Sequence, residues 1–132
     1  MNDVELYLKF REELDKICVP EILKCVEAEP IYCDEKKVGI FCHVEQPYFL
    51  YIDCVYVLPE YRNRGLATEK VIEWYRKQKK KEIRLHIINE NKPALKFWTS
   101  LFNLEAIEWN GVDSLFRIMG EKEGRMWRLK LL

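Results

Sequence analysis

The sequence of 132 residues lacks the marks of several protein classes. Its five cysteines are an odd number with no C-x-x-C pair, and no apolar signal segment opens the chain. We therefore expect reduced thiols and a cytoplasmic location rather than a disulfide framework. His43 and His86 have no ligand-like spacing to the cysteines, which argues against a zinc site. No apolar run is long enough to span a bilayer.

The sequence also has no excess of charge of either sign. Its 22 acidic and 22 basic side chains give a formal net charge of zero, which argues against a global attraction to nucleic acid or to a membrane. The basic run at residues 76–81 is the local exception, but cations are also favourable at a helix C-terminus. We favour a solvated helix end there. The length and composition are typical of one compact domain, which we place at residues 1–132.

Apolar periodicity predicts the order of the elements. The run from Phe49 to Leu58 is typical of a buried strand, and Pro59 ends it because proline cannot continue the ladder of hydrogen bonds. The segment 114–119 is left open between strand and short helix. The remaining predictions are helices at 3–18 and 20–26, a hairpin at 30–44, a helix from about Leu66, a strand at 83–88, a helix from Asn91 to Phe102, strands at 104–109 and 125–131, and a loop at 120–124.

The turn between the predicted central strand and the next helix contains Arg62, Arg64 and Gly65 but no bulky apolar residue. The first amides of a helix are unpaired and lie at the positive end of its dipole, so they can bind phosphate oxygens. Gly65 and Ala67 allow the backbone to approach such a group closely. Arg62 and Arg64 can add charge-assisted hydrogen bonds.

Two motifs resemble those of the GCN5-related N-acetyltransferase (GNAT) family. Arg62-x-x-Gly65-x-Ala67, after a strand that ends Val-x-Pro-x-Tyr, is similar to the family's acyl-CoA pyrophosphate loop. Asn91-x-x-Ala94-x-x-Phe97-Trp98 resembles its second motif, Asn-x-x-Ala-x-x-x-Tyr. The resemblance implies an α/β (α+β) fold with a mixed, mostly antiparallel central sheet flanked by helices. Family members usually begin with a strand, so the early helix here leaves open whether the first edge strand is missing.

The resemblance further implies that acetyl-CoA is the cosubstrate, and the spacing of the histidines and cysteines predicts no metal. The resemblance places acetyl-CoA between the central strand and the strand at 83–88. The backbone of Val55 and Val57 would pair with its pantetheine. Asn91 would lie beside the cofactor, although an N-cap explains this residue equally well. The residues implied for the pyrophosphate are Arg62, Arg64, Gly65, Leu66, Ala67 and Thr68.

The candidate catalytic residue is Asp53, a carboxylate within an apolar strand. Because burial of an unpaired charge is costly, Asp53 either faces a wet cleft or has a partner. The resemblance implies a base that deprotonates the amine at this position. Trp98 stands where the family usually has a tyrosine, and an indole cannot act as a general acid; Tyr56 or Tyr51 could replace it. We interpret the neighbouring Cys54 as a buried thiol rather than a nucleophile.

The predicted function is transfer of an acetyl group from acetyl-CoA to a primary amine by direct attack in a ternary complex. The acceptor is a small molecule or a peptide, and an acidic residue in the cleft favours a cationic one. The alternative is an acyl-CoA-binding module without catalysis, motivated by Trp98. The sequence leaves open whether the protein is a monomer or a homodimer.

Overall fold

The computed structural model describes residues 27–78 and 82–122. The predicted helices at 3–18 and 20–26, the strand at 125–131 and the question of the first edge strand lie outside these residues. The described elements are strands β1 (Glu27–Cys33), β2 (Lys36–Glu45) and β3 (Phe49–Val57), a 3₁₀ turn (Pro59–Tyr61), helix α1 (Leu66–Lys77), strand β4 (Glu82–Ile88), helix α2 (Lys92–Leu101), and strands β5 (Phe102–Trp109) and β6 (Asp113–Glu121).

The strands form one sheet in the order β1-β2-β3-β4-β6-β5. Neighbouring strands are antiparallel except for β3 and β4, which are parallel. Helix α1 connects this parallel pair, as a crossover between parallel strands requires. The predicted mixed, mostly antiparallel α/β fold is confirmed.

The core lies between the sheet and the two helices. Helix α1 contacts β1, β2 and β3, and α2 contacts β4 and β5. Trp74 of α1 packs edge-on against Phe41 of β2 with 5.1 Å between ring centroids. Tyr75 packs against Phe102 at 4.8 Å and so links α1 to the start of β5. The side chains of Phe41 and Phe102 are fully buried.

The region after α2 differs from the prediction. Residues 114–119 form a strand, and β6 continues through Gly120 and Glu121, so the predicted loop at 120–124 is wrong at its first two positions. The reason is that β5 begins at Phe102, directly after α2, and its first residues need a partner strand. Gly120 pairs with Asn103, and Glu121 pairs with Phe102.

Candidate functional site

Strands β3 and β4 separate halfway along their length. Their parallel pairing joins residues 49–52 to residues 82–85. Beyond this point β3 remains paired with β2 as far as Val57, and β4 remains paired with β6 as far as Ile88. Residues 53–57 and 86–88 therefore line a gap between the two strands, which we call the splay. One backbone edge of β3 faces this gap.

A β-bulge lies where the splay opens. Cys42 pairs with Cys54, whereas the next residue of β2, His43, pairs with Ile52. Asp53 is therefore the extra residue in β3. A bulge bends its strand and re-aims the side chain at that position, which accounts for the departure of β3 from β4 at this point. Nothing in the local sequence predicted the bulge.

The carboxyl group of Asp53 is partly buried at this bulge. Burial raises its pKa from 3.8 to about 6, and the hydrogen bond with the Cys54 side chain opposes only part of that rise. Among the described residues no cation forms a salt bridge with Asp53. A carboxylate with a raised pKa is a better proton acceptor near neutral pH than an ordinary aspartate. Asp53 is therefore a candidate general base.

The thiol of Cys54 is buried beside that of Cys42. Its hydrogen bond with the Cys42 side chain and its burial both raise the pKa of the Cys54 thiol. Because the thiolate is the nucleophilic form, this environment makes Cys54 unreactive. The geometry supports the interpretation of Cys54 as a structural residue.

The turn after β3 is braced by its two arginines. Arg62 Nε donates to the carbonyl oxygen of Val57 at 2.8 Å, and its guanidinium lies 5.3 Å from the centre of the Tyr56 ring. Arg64 donates to the carbonyl oxygen of Glu60 at 3.2 Å and lies over the ring of Tyr61. The sequence suggested anion contacts for both side chains, and the structure adds this bracing role.

Helix α1 begins at Leu66, as predicted, with Gly65 as its N-cap. Gly65 has φ 78° and ψ 7° and supplies no side-chain cap. This left-handed conformation costs glycine little and other residues more. The first bond of the helix runs from Glu69 N to Gly65 O at 2.9 Å, so the amides of Leu66, Ala67 and Thr68 precede it at the positive end of the dipole. They form a site suited to phosphate oxygens.

The predicted N-cap of α2 is present. Asn91 Oδ1 accepts a hydrogen bond from Ala94 N at 3.2 Å, and Asn91 N donates to Ile88 O at 2.9 Å. Asn91 is thereby held beside the last residue of β4, at the open end of the splay. The cap uses only the side-chain oxygen, which leaves the amide nitrogen as a donor.

Trp98 belongs to the core. The residue is 6% exposed, and its ring stacks on Phe102 with an interplanar angle of 16° and 6.3 Å between centroids. Phe97 packs edge-on against it at 4.9 Å. The residue that replaces the expected tyrosine therefore has a packing role.

Two polar side chains connect β3 and β4 at the start of the splay. Tyr51 Oη lies 2.7 Å from His86 Nδ1, and the two rings meet edge-on at 5.6 Å. His86 was given no role from the sequence, because its partner is 35 residues away and only the parallel pairing of the strands brings them together. Tyr56, the other tyrosine considered, is buried.

The positive charge at the C-terminal end of α1 is partly neutralised. Arg76 pairs with Glu121 of β6 at 3.1 Å, and Lys77 pairs with Glu73 one helical turn earlier at 3.5 Å. These two cations are engaged within the protein, which weakens the case for nucleic-acid binding by the basic run. Residues 79–81 lie outside the described part of the chain.

Comparison with known proteins agrees with this geometry. A family model described as the acetyltransferase (GNAT) family matches residues 7–103, which is most of the chain. The chain belongs to the GNAT family. The predictions of the family and of an N-acetyltransferase are confirmed.

Solved structures with the same fold include GNAT enzymes at low sequence identity. The PaiA N-acetyltransferase of Thermoplasma acidophilum, in complex with coenzyme A, is 18% identical with a TM-score of 0.61, over 88% of this chain and 70% of that one. The N-acetyltransferase PseH of Campylobacter jejuni, in complex with acetyl coenzyme A, is 16% identical with a TM-score of 0.58, over 88% of this chain and 79% of that one. Naa50 of Arabidopsis thaliana, in complex with the bisubstrate analogue CoA-Ac-MVNAL, is 19% identical with a TM-score of 0.51, over 89% of this chain and 93% of that one. No curated protein sequence matches the chain.

Two further properties of this GNAT protein concern membranes and metals. Across residues 27–78 and 82–122, neither helix has the length and apolar character needed to cross a membrane. The same residues contain no group of three or more metal-ligating side chains.

Proposed function

We propose that the protein transfers an acetyl group from acetyl-CoA to a primary amine by direct attack in a ternary complex. The observation that carries this proposal is the bulge at Asp53, where a carboxylate of raised pKa lies at the point from which β3 and β4 diverge. A thioester held in the splay would lie beside a proton acceptor. We also propose that residues 1–132 form a single domain.

The cofactor would be held mainly by the backbone. Val55 and Val57 lie on the part of β3 that β4 does not pair with, so their backbone groups can bond to the amides of pantetheine. The pyrophosphate would bind to the amides at the start of α1, with the side chain of Thr68 as a further donor. Asn91 would contribute its side-chain nitrogen. Arg62 and Arg64 would hold the turn in shape and add positive charge near the phosphates.

The reaction requires a neutral amine. Asp53 would accept a proton from the ammonium group, directly or through a water molecule, and the amine nitrogen would then attack the thioester carbonyl. The new C–N bond forms, the C–S bond breaks to release the thiolate of CoA, and the nitrogen loses its second proton to that thiolate or to water. A backbone N–H of β3 near Val55 would stabilise the oxyanion.

The acceptor would be a cationic amine, because its ammonium group can pair with the Asp53 carboxylate before it loses a proton. Small polyamines and the amino termini of peptides both meet this requirement. The analogue bound to Arabidopsis Naa50 joins CoA to a peptide, which supports the inclusion of peptides among the candidates.

The first test is calorimetric titration with acetyl-CoA and, separately, with CoA. We expect saturable binding of both, followed by release of CoA thiol when a panel of polyamines and short peptides is added. Binding without turnover on any amine would favour the acyl-CoA-binding module. A folded sample that binds neither ligand would contradict the proposal.

A further inference from the structure

Two arginines lie side by side on β4 and β6, outside both GNAT-like motifs of the sequence. Arg84 of β4 is directly opposite Arg117 of β6. We propose that these two side chains bind a carboxylate of the acceptor, and that the acceptor is a peptide with an acidic residue near its amino terminus. This inference rests on the proposed function and selects between the two classes of amine named there.

Both arginines point to the face of the sheet opposite α1. Trp74 of α1 packs against His43 of β2 with 4.9 Å between ring centroids. His43 is paired with Ile52, and Ile52 is paired with Leu85, so all three side chains point towards α1. Successive residues of a strand point to opposite faces. Arg84, the residue before Leu85, and the arginine opposite it therefore point away from α1.

This second face is the side from which an acceptor can enter the splay. The side of α1 is filled by core residues such as Ile52 and Leu85, which are 2% and 1% exposed. On the other face His86, two residues after Arg84, is exposed. An amine that approaches Asp53 over this face comes from the side on which the two arginines lie.

Two contacts hold the guanidinium of Arg84 in one orientation. It lies over the ring of Phe49, 4.4 Å from the ring centroid, and its Nε donates a hydrogen bond to Glu82 Oε2. Within residues 27–78 and 82–122, its terminal Nη atoms donate no hydrogen bond. A planar guanidinium with terminal nitrogens left over matches the geometry of a carboxylate.

Arg117 also has donors left over. Its Nε lies 3.1 Å from Glu82 Oε1 and 3.7 Å from Glu105 Oε1, but this buried nitrogen has no hydrogen-bond partner. Among the described residues Arg117 is thus held by ion pairs alone. A carboxylate bound between the two guanidinium groups would accept hydrogen bonds that both arginines now lack.

The placement of two like charges directly opposite each other also favours a binding role. Such a pair destabilises a sheet unless other groups compensate for it. Glu82 lies between the two arginines and contacts both, whereas Glu105 contacts only Arg117 and its side chain is 53% exposed. A ligand carboxylate would offset the repulsion that remains between the two guanidinium groups.

The separation of the arginines from Asp53 sets the length of the acceptor. The guanidinium of Arg84 lies over Phe49, which precedes Asp53 by four residues on β3. At about 3.3 Å per residue, the carboxylate and the amine would be on the order of 10 Å apart. A free amino acid is too short to reach both groups, whereas an extended peptide covers this distance in about three residues. Small polyamines have the length but no carboxylate.

The test compares two pentapeptide amides as acceptors for the full chain with acetyl-CoA. One peptide has glutamate at its third and fourth positions, and the other has glutamine at both. The terminal amide removes the only other carboxylate. Because a hydrogen bond to a charged group is stronger than one to a neutral group, the wild type should acetylate the glutamate peptide with a kcat/KM at least about tenfold higher.

Variants of the two arginines assign this preference to the proposed subsite. Arg84→Gln and Arg117→Gln should each lower kcat/KM for the glutamate peptide by about tenfold and leave the glutamine peptide unchanged. Arg76→Gln is the matched control, because the Arg76 side chain on α1 is 38% exposed and also pairs with a glutamate, Glu121. A general loss of structure would lower both peptides equally, so the ratio of the two kcat/KM values reports the subsite.

The possible failures are distinguishable. Equal kcat/KM for the two peptides in the wild type, or turnover of polyamines alone, would refute the subsite while the proposed function stands. A preference for glutamate that both arginine variants retain would refute it as well. If calorimetry shows that the protein binds acetyl-CoA but no amine is acetylated, the subsite and the proposed function are both overturned.

Discussion

Replacement of Asp53 by asparagine should make the protein more stable and less active. Asparagine has almost the same shape and can still accept a hydrogen bond from Cys54, but it carries no charge to desolvate. The rise of the Asp53 pKa from 3.8 to about 6 means that folding opposes ionisation of this group. Removal of the charge therefore removes a cost that the folded protein bears at neutral pH.

The size of the effect follows from the pKa. Each pKa unit corresponds to about 1.36 kcal/mol, so the difference between 3.8 and about 6 sets an upper limit of about 3 kcal/mol. Asp53 is only partly buried, and solvent screens part of this penalty. We therefore expect Asp53→Asn to raise the free energy of unfolding by about 1–2 kcal/mol.

The pH dependence has a definite sign. Between about pH 4 and pH 6 the folded protein holds the Asp53 proton more tightly than the unfolded chain, so this group makes the wild type lose stability as the pH rises. The asparagine side chain of the variant does not titrate. The stability gain of Asp53→Asn should be near zero at about pH 4, grow through about pH 6 and then remain constant.

Urea denaturation of both proteins at pH 4, 5, 6 and 7.5 measures the stability difference. Activity is measured at pH 7.5 with the best amine of the panel. Loss of the general base should lower turnover by a factor of roughly 10²–10⁴ and leave the affinity for acetyl-CoA unchanged. A variant that is less stable at pH 7.5 would show that the Asp53 carboxylate has a stabilising partner. Equal turnover in the two proteins would refute its role as base.

Substitutions at three further positions test the turn, the cap and the sheet. Gly65→Ala should destabilise the protein by about 1 kcal/mol through its φ of 78° alone, since an added Cβ would meet no atom within 4 Å. Gly65→Val should also weaken acetyl-CoA binding in calorimetry. Unchanged affinity in a folded Gly65→Val variant would contradict the phosphate site. Asn91→Ala should cost about 1 kcal/mol in urea denaturation because the cap to Ala94 is lost, whereas Asn91→Asp should retain it. Gly39→Ala should destabilise the protein more than Gly65→Ala or Asn91→Ala, because its Cβ would lie 2.5 Å from Tyr56 O. Wild-type stability of this variant would show that β2 and β3 can move apart.

Much of the fold was predictable because its signals are local. Pro59 ends β3, Asn91 caps α2, and the apolar spacing of Val71 and Trp74 identifies the buried face of α1. Each of these depends on residues within a few positions of one another. The segment 114–119 was ambiguous for the opposite reason, since its identity as a strand depends on pairing with β4 and with β5.

The sequence by itself determined the family, the glycine-containing turn at the start of α1 and the unusual carboxylate at Asp53. Only the tertiary structure decided that Asp53 occupies a bulge, that Arg62 and Arg64 brace their own turn, and that Trp98 is a core residue. The structure also joined Tyr51 to His86. The physical reason is that strand register, burial and side-chain direction arise from contacts between distant segments, which no window of neighbouring residues contains.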